Sequence, residues 1–455
     1  MAGLVLAAVV TAWLIYMIAR RYKPQAILLI AGLSLMLGAA ILKTGPILGA
    51  KETTGLIWFD PFEVVKNLMS TRTAGLGMML MAVGGFARYM EHVGASKALF
   101  ALVASPLRWI RSPYVLLVIA FFITQILVLF IPSHAGLGLL LMVTMYPILI
   151  RKGVSRLSAL SVIGCCQFID HGPGSGNEIL AAATAQLHPA TYFVKYQLPI
   201  TIPIIVAVAA THFVVQRWWD KRENQAAEDL QAGPVKEETD RPPLIYAILP
   251  VVPLLLILGF SPLFKSRITM DVITAMIISA LISLGFEYVR LRDAQAVLGS
   301  LQLFFDGMGK TFAVVVSLIV CGEVFANGLI KIGAVDRLIA AAQSAGFGLR
   351  SMIIAGSLII AGSAFLMGSG NAAFFSFAAL GPKIAEHLGV PTVTLLLPMQ
   401  IMTSFGRTVS PITAAIVAIA GVAGVSPFQV VKRTAIPMAV AGVVNIVVDF
   451  MVFAR

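Results

Sequence analysis

Residues 86–95 read FARYMEHVGA and residues 325–334 read FANGLIKIGA: each opens on Phe-Ala and closes on a branched aliphatic residue followed by Gly-Ala, at an offset of 239. Working outward, Pro189, Lys195 and Pro199 correspond to Pro427, Lys432 and Pro437 at nearly the same offset. The polar stretch Pro132–Gly136 falls opposite Met367–Asn371, and Gly172–Glu178 falls opposite Gly406–Pro411. Self-similarity at a fixed long period marks an internal duplication. Its halves are 1–216 and 244–455, joined by the one hydrophilic stretch of any length, 217–243.

Composition says where the duplicated unit lives. Of 455 residues, 59% are hydrophobic and 12% charged, and mean hydropathy is +0.93. Soluble domains carry about 25% charged residues, so the chain reads as a membrane protein. The 26 Phe and 39 Gly, spread without period, exclude disorder and collagen. Cys165, Cys166 and Cys321 sit in apolar segments and are expected to be free thiols. The net charge of +12 does not point to nucleic acid, because the basic residues are neither clustered nor interleaved with exposed aromatics. Membrane proteins place Lys and Arg in cytoplasmic loops.

Apolar runs long enough for a bilayer core of about 30 Å lie near 3–19, 26–44, 74–91, 197–216, 244–261, 270–289, 312–330 and 435–453. The first is read as a retained span with its N-terminus outside, because Arg20, Arg21 and Lys23 follow it rather than precede it. Stretches 157–187 and 394–424 have polar, Gly- and Pro-containing centres. Such breaks must be buried in protein or line a cavity. Stretches 114–150 and 351–385 read as helix, polar tip, helix, returning to the side they left, as in a re-entrant hairpin.

Each half then has five crossings and one hairpin, so the second repeat is inverted. The fold class expected is an all-α polytopic membrane protein of two inverted repeats. With 217–243 cytoplasmic and both termini periplasmic, 20 basic residues fall inside, 12 outside and Arg407 within the membrane. Inverted repeats with discontinuous helices point to a secondary transporter with its substrate near the midplane.

The chemistry concentrates in the tips and breaks. Half-helix N-termini capped by Ser or Asn present free N–H groups and partial positive charge, which suits carboxylates; Pro411, after Ser410, suits a first helical position. An Arg at membrane depth is costly without a partner, so Arg407 is read as a substrate-carboxylate ligand, with a structural pair to Asp170, Glu178 or Glu323 as the alternative. The remaining substrate-binding candidates are Ser133, His134, Ser175, Gly176, Asn177, Ser369, Gly370, Asn371, Thr408 and Ser410. For Ser369 and Asn371 the competing reading is ordinary turn and cap chemistry. His171, Asp170 and Glu178 are coupling candidates, since titratable groups at membrane depth suit proton coupling; a satisfied internal network is the alternative. No spacing identifies a metal, and no cofactor is expected beyond a coupling proton or sodium, the latter held by backbone carbonyls at the breaks. Glu323 and Asp449 lie away from the breaks and are read as packing residues, as are Gly84, Gly85 and Gly356.

GLGMMLMAVGGFARYMEHVGA (75–95), GLGLLLM (136–142), PGSGNEILAA (173–182), GSGNAAFFSF (368–377) and GRTVSPITAAIVAIAGVAGVSPFQVVKRTAIP (406–437) resemble the anaerobic four-carbon dicarboxylate transporter family of type C, within the ion transporter superfamily. The resemblance spans nearly the whole chain. It implies a bacterial inner-membrane carrier for succinate, fumarate, malate or aspartate, working by exchange, efflux or ion-coupled uptake. The superfamily implies a homodimer with a scaffold domain and an elevator-type transport domain holding both hairpins and both broken helices, here 114–187 with 351–424. The chain departs from the family pattern at His134 and at Asp170 with His171, which keeps a larger di- or tricarboxylate open. A cation/proton antiporter using Asp170 and Glu178, and an intramembrane enzyme built on His134, Asp170 and His171, are the alternatives from other classes; the enzyme leaves the duplication unexplained.

Overall fold

Apolar segments in lipid must satisfy every main-chain amide internally, and helices do so within one segment. The computed structural model describes residues 2–49, 51–223, 242–264, 267–268 and 270–453, and among them no strand occurs. Most of the expected linker, 224–241, lies outside the described residues; its first part, 217–223, continues the preceding helix.

The chain opens with α1 (Ala2–Ala19) and α2 (Pro24–Ile41). A long helix follows, α3 (Asp60–Arg72) running through a π-helical turn at Thr73–Gly77 into α4 (Met78–His92), and then the short α5 (Ala95–Val103). The first tip lies between α6 (Pro113–Leu127) and α7 (His134–Thr144), which is followed by α8 (Tyr146–Arg151); α6 packs on the later helix Leu198–Glu223 and α7 on Ala414–Ala423. The first broken helix is α9 (Arg156–Gly164) and α10 (Gly176–Thr184); α11 (Pro189–Thr191) leads through a second π-helical stretch, Tyr192–Gln197, into α12 (Leu198–Glu223). The second half begins with α13 (Val252–Gly259) and α14 (Val272–Leu291). Next come α15 (Ala294–Ser300), α16 (Gln302–Thr311), a π-helical turn at Phe312–Val316 and α17 (Ser317–Lys331). After α18 (Ala334–Ser344), the second hairpin is α19 (Leu349–Met367), α20 (Gly370–Ala378) and α21 (Gly381–Leu388). The second broken helix is α22 (Thr392–Thr408) and α23 (Ala414–Ala423), and α24 (Pro427–Val452) ends the fold.

The succession repeats in detail: the π-helical turns at Thr73–Gly77 and Phe312–Val316 begin 239 residues apart, the offset of the two FA…GA stretches. Seven helical stretches among the described residues are long and apolar enough to cross a membrane. Several expected spans are only the apolar parts of longer helices: 197–216 lies inside Pro189–Glu223, and 312–330 inside Ala294–Lys331. Hydropathy registers the roughly 20 residues that lie in hydrocarbon, and the polar turns beyond them go unseen. Aliphatic side chains such as Val5, Val9, Ile202, Val206, Leu358, Val443 and Val447 are exposed, as a lipid-facing surface requires.

Two packing groups emerge. In one, α2 lies on α17 and α4 on α16, with α14 against α4. A Cβ on Gly32 would stand 2.6 Å from the Val324 carbonyl oxygen, and one on Gly85 would stand 2.6 Å from that of Phe304. These are small-residue crossings of the membrane type, and Gly84, against Thr311, belongs to them. In the other, α12 and α24 pack on each other; α12 also meets α6, and α24 meets α9 and α22. A buried ionic cluster ties this group together at the end where 217–223 emerges. Arg433 Nη1 donates to Asp220 Oδ1 at 2.7 Å and Nη2 to Glu223 Oε2 at 2.7 Å. Asp220 also accepts from the Ser155 hydroxyl at 2.7 Å and the Ser158 hydroxyl at 2.8 Å.

Candidate functional site

The two hairpin tips and the two breaks meet. Pro132–Ala135, Gln167, Asp170, Ser175, Gly176, Gly368–Asn371, Arg407 and Thr413–Ala415 line one cavity of about 280 Å³. Each tip is built by a serine that leaves the helical conformation and caps the next helix. Ser133 accepts from the Gly136 amide at 3.2 Å, and Ser369 from the Ala372 amide at 3.3 Å. Gly368 precedes Ser369 at φ +62°, where a side chain would be strained and would press on Ile412. Ser175 and Thr413 hold the positions before α10 and α23. Four helix N-termini therefore face one small space, each with free amides and partial positive charge.

Arg407 ends α22 at the wall of this cavity. Its Nη2 donates to Asp170 Oδ1 at 2.7 Å and to the Gln167 carbonyl at 2.8 Å, and its Nε has no hydrogen-bond partner. Asp170 Oδ2 accepts from the Asn177 amide. Its carbonyl accepts from Gln400 Nε2 at 2.7 Å and Gln197 Nε2 at 2.9 Å, while Gln400 Oε1 accepts from Gln197 Nε2 at 3.1 Å and from the Tyr192 hydroxyl at 3.3 Å. The rings of Phe168 and Phe405 stack with centroids 5.9 Å apart. An ion pair out of water persists only with such extra hydrogen bonds, because desolvating both charges costs several kcal/mol per ion.

Of the candidates, Ser133, His134, Asp170, Ser175, Gly176, Ser369, Gly370, Asn371 and Arg407 line the cavity. His134 Nε2 lies 2.9 Å from the Gly164 carbonyl, and its Nδ1 has no partner. The Ser175 hydroxyl is buried without a partner. Asn177, Glu178, His171, Thr408 and Ser410 are outside the lining. Asn177 donates its side-chain amide to Asp170. Glu178 is fully buried, and its carboxylate oxygens make no hydrogen bond to another side chain. His171 is buried with Nδ1 and Nε2 each 3.2 Å from a backbone carbonyl, of Ile169 and Gln125. Thr408 donates to the Ser404 carbonyl at 2.8 Å. Ser410 donates to the Phe365 carbonyl at 2.7 Å, tying the break to the second hairpin, so Pro411 stays in the break and α23 starts only at Ala414. The expected helix start at Pro411 is therefore corrected to Ala414.

The residues missed by sequence reasoning are Gln167, Gln197, Gln400 and Thr413. Gln197 and Gln400 lie inside helices, so their signal was a polar side chain at membrane depth with no accompanying break; Gln167 and Thr413 lie within the two breaks, between α9 and α10 and between α22 and α23. Glu323 pairs with Arg72 at 2.7 Å, away from Arg407. The three cysteines are free and buried. Among the described residues no three His, Cys, Asp or Glu side chains gather as a metal site would require.

Residues 3–454 match the DcuC family, described as a C4-dicarboxylate anaerobic carrier. A relative from Vibrio cholerae, "Probable anaerobic C4-dicarboxylate transporter DcuC", is 36% identical over 99% of this chain and 98% of its own length. "Anaerobic C4-dicarboxylate transporter DcuC" of Escherichia coli K12 is 37% identical over 94% of this chain and 92% of its own. A "Putative uncharacterized transporter" of Haemophilus influenzae is 32% identical over 44% of this chain and 70% of its own. With apolar, membrane-length helices throughout, the protein is a multi-pass membrane carrier rather than an enzyme, and the chain belongs to the DcuC family.

Proposed function

We propose that this protein is a secondary active transporter of C4-dicarboxylates such as succinate, fumarate, malate and aspartate, binding them in the cavity between the two tips and the two breaks. The observation that carries the reading is Arg407, a guanidinium on the wall of a space faced by four helix N-termini. A substrate carboxylate shares Arg407 with Asp170, and the capped tips at Ser133 and Ser369 receive the rest of the anion. A volume of about 280 Å³ is at the low end for small-ligand sites, which favours a four-carbon diacid over a tricarboxylate. Counterflow in proteoliposomes, with a panel of mono-, di- and tricarboxylates, tests this. Trans-stimulation by C4 diacids is expected; cation exchange without any organic anion would overturn it.

In this reading the repeats are inverted, the linker 217–243 is cytoplasmic and both termini are periplasmic in a bacterial inner membrane, and the protein is a homodimer. Transport is elevator-like. The moving unit is 114–187 with 351–424, enlarged by α12 and α24, because the Asp220–Arg433 cluster fastens those helices to α9. Coupling, where uptake runs against the membrane potential, uses a proton at His171, Asp170 or Glu178, with His134 a further candidate; both ring nitrogens of His171 face backbone carbonyls at 3.2 Å. A rate that varies between about pH 5.5 and 8 without sodium supports proton use; strict sodium dependence overturns it.

A further inference from the structure

Seven Asp and Glu side chains are buried among the described residues, and five of them show how this protein keeps a carboxylate out of water. Asp60 accepts from the Thr53 and Thr54 hydroxyls, and Asp170, Asp220, Glu287 and Glu323 each pair with an arginine. The other two, Glu178 and Asp449, have no exposure at all. Glu178 lies in the first turn of α10, beside the break. Asp449 lies on α24, away from every tip and break, and neither of its carboxylate oxygens has a hydrogen-bond partner among the described residues. Packing, the role its place in the sequence suggests, does not account for a carboxylate in that state.

What surrounds Asp449 lacks a donor, not an acceptor. α12 and α24 run antiparallel, with Arg433 against Asp220 at one end and Phe453 against Tyr196 at the other, which brings Asp449 level with Thr201. On α22, the Thr408 carbonyl accepts from the Thr434 hydroxyl and the Pro398 carbonyl from the Asn445 amide. One turn further along, Asp449 comes level with Thr394, whose carbonyl loses its helical donor because that position is Pro398. Thr201 Oγ1 and Asn445 Oδ1 have no partner either. The titratable groups facing this level are Tyr192, Lys195 and Tyr196 from the start of the α12 helix and Arg350 from α19; α22 brings none there. Lys195 is exposed, Tyr196 packs on Phe453 with ring centroids 5.5 Å apart, and Arg350 lies over the Phe450 ring at 5.6 Å. None of them bonds to Asp449.

An ionised carboxylate without a partner is too costly to hold out of water, and such a group takes up a proton instead. The acid O–H then supplies the donor that these acceptors lack. We propose that Asp449 is a proton-binding site of the carrier, protonated while the moving unit crosses the bilayer and exchanging its proton with water on the side opposite the linker, about one turn away at the end of α24. Tyr192 links it to the binding cavity: its hydroxyl lies in the field of both Asp449 and Glu178 and donates to Gln400, which holds the Asp170 carbonyl. The role in transport rests on the function and moving unit proposed above; the proton on Asp449 does not.

The proton can be seen without transport. At neutral pH the infrared spectrum of the wild type should hold a carboxylic-acid C=O band that Asp449→Asn lacks. The same band should shift when aspartate carries carbon-13 at its side-chain carboxyl, which reads the wild type whether or not the variant folds. In proteoliposomes Asp449→Asn, a fixed stand-in for the protonated acid, should keep dicarboxylate counterflow near the wild-type rate. Its accumulation of dicarboxylate under a gradient of about one pH unit should be about tenfold lower, the factor that one proton carries, and Asp449→Glu should restore it. Absence of an aspartic-acid band overturns the proposal, as does a band that sodium removes at constant pH. Equal losses of counterflow and of gradient-driven accumulation in Asp449→Asn return the residue to packing and overturn it too. A wild type that shows the band yet moves no dicarboxylate in counterflow overturns the proposed function and leaves the proton site standing.

Discussion

Asp170 in the first break and Arg407 in the second are 237 residues apart, within two of the offset that aligns the halves. Corresponding breaks in the two halves thus carry opposite charges, and the two meet at 2.7 Å. A similar contrast occurs where the long helices cross. Gly84 abuts Thr311, and the positions 239 residues away from them are Glu323 and Arg72, which form an ion pair at 2.7 Å. One crossing is closed by a missing side chain, its counterpart by a charge pair. Duplication supplied the frame, and the departures from symmetry mark the places that differ in chemistry.

The comparison breaks most sharply at the pair that joins the halves. Arg407→Lys keeps the charge but loses the planar donor set that serves Asp170 and the Gln167 carbonyl and, in the proposed function, an incoming carboxylate as well. Transport should fall on the order of 100-fold, the loss expected for a buried charged contact, with the protein still folded by size-exclusion chromatography. Unchanged KM and rate would separate Arg407 from the substrate.

Asp170→Asn leaves Arg407 a buried charge without its counter-ion, at a cost of about 3–5 kcal/mol. A bound dicarboxylate replaces the missing carboxylate, so the rise in Tm on adding succinate should exceed that of the wild type. An equal or smaller rise would mean that substrate and Asp170 do not share the guanidinium.

The helix crossings give the smallest effects and sharpen the contrast. Gly84→Ala inserts a methyl group where Thr311 already sits and should destabilise by about 1–3 kcal/mol. Glu323→Gln, which removes the charge from a pair whose Arg72 is half exposed, should cost about 1 kcal/mol or less. Thermal unfolding in detergent ranks the two, and the reverse order would mean that the ion pair, not the close approach, holds this group of helices.

Much of this was legible before any coordinates. Helix, tip and break recur where glycine, proline and serine interrupt apolar runs, and the duplication located them twice; Ser133 and Ser369 cap as their positions suggest. What the sequence could not carry is partner choice across more than 200 residues. Arg407 was open among Asp170, Glu178 and Glu323, and only packing selected Asp170. Gln197 and Gln400 hold the Asp170 carbonyl from inside long helices, where a glutamine disturbs neither periodicity nor helix propensity. Thr408 and Ser410 look like cavity residues because they neighbour Arg407, yet the Thr408 hydroxyl turns back one helical turn to the Ser404 carbonyl and the Ser410 hydroxyl, in the break, reaches the Phe365 carbonyl.

The buried cluster at Asp220 and Arg433 also has a consequence for biogenesis. The two residues are 213 apart in the chain, and synthesis at about 5–20 residues per second separates their emergence by tens of seconds. During that interval Asp220 has already arrived on α12 while its guanidinium partner has not been made, so the first half must either keep this end of α12 in contact with water or delay its docking. Truncation anywhere between Asp220 and Arg433 makes that waiting state permanent. Halves expressed as separate chains should therefore be unstable alone and recover only when coexpressed, with the ionic cluster closing the assembly.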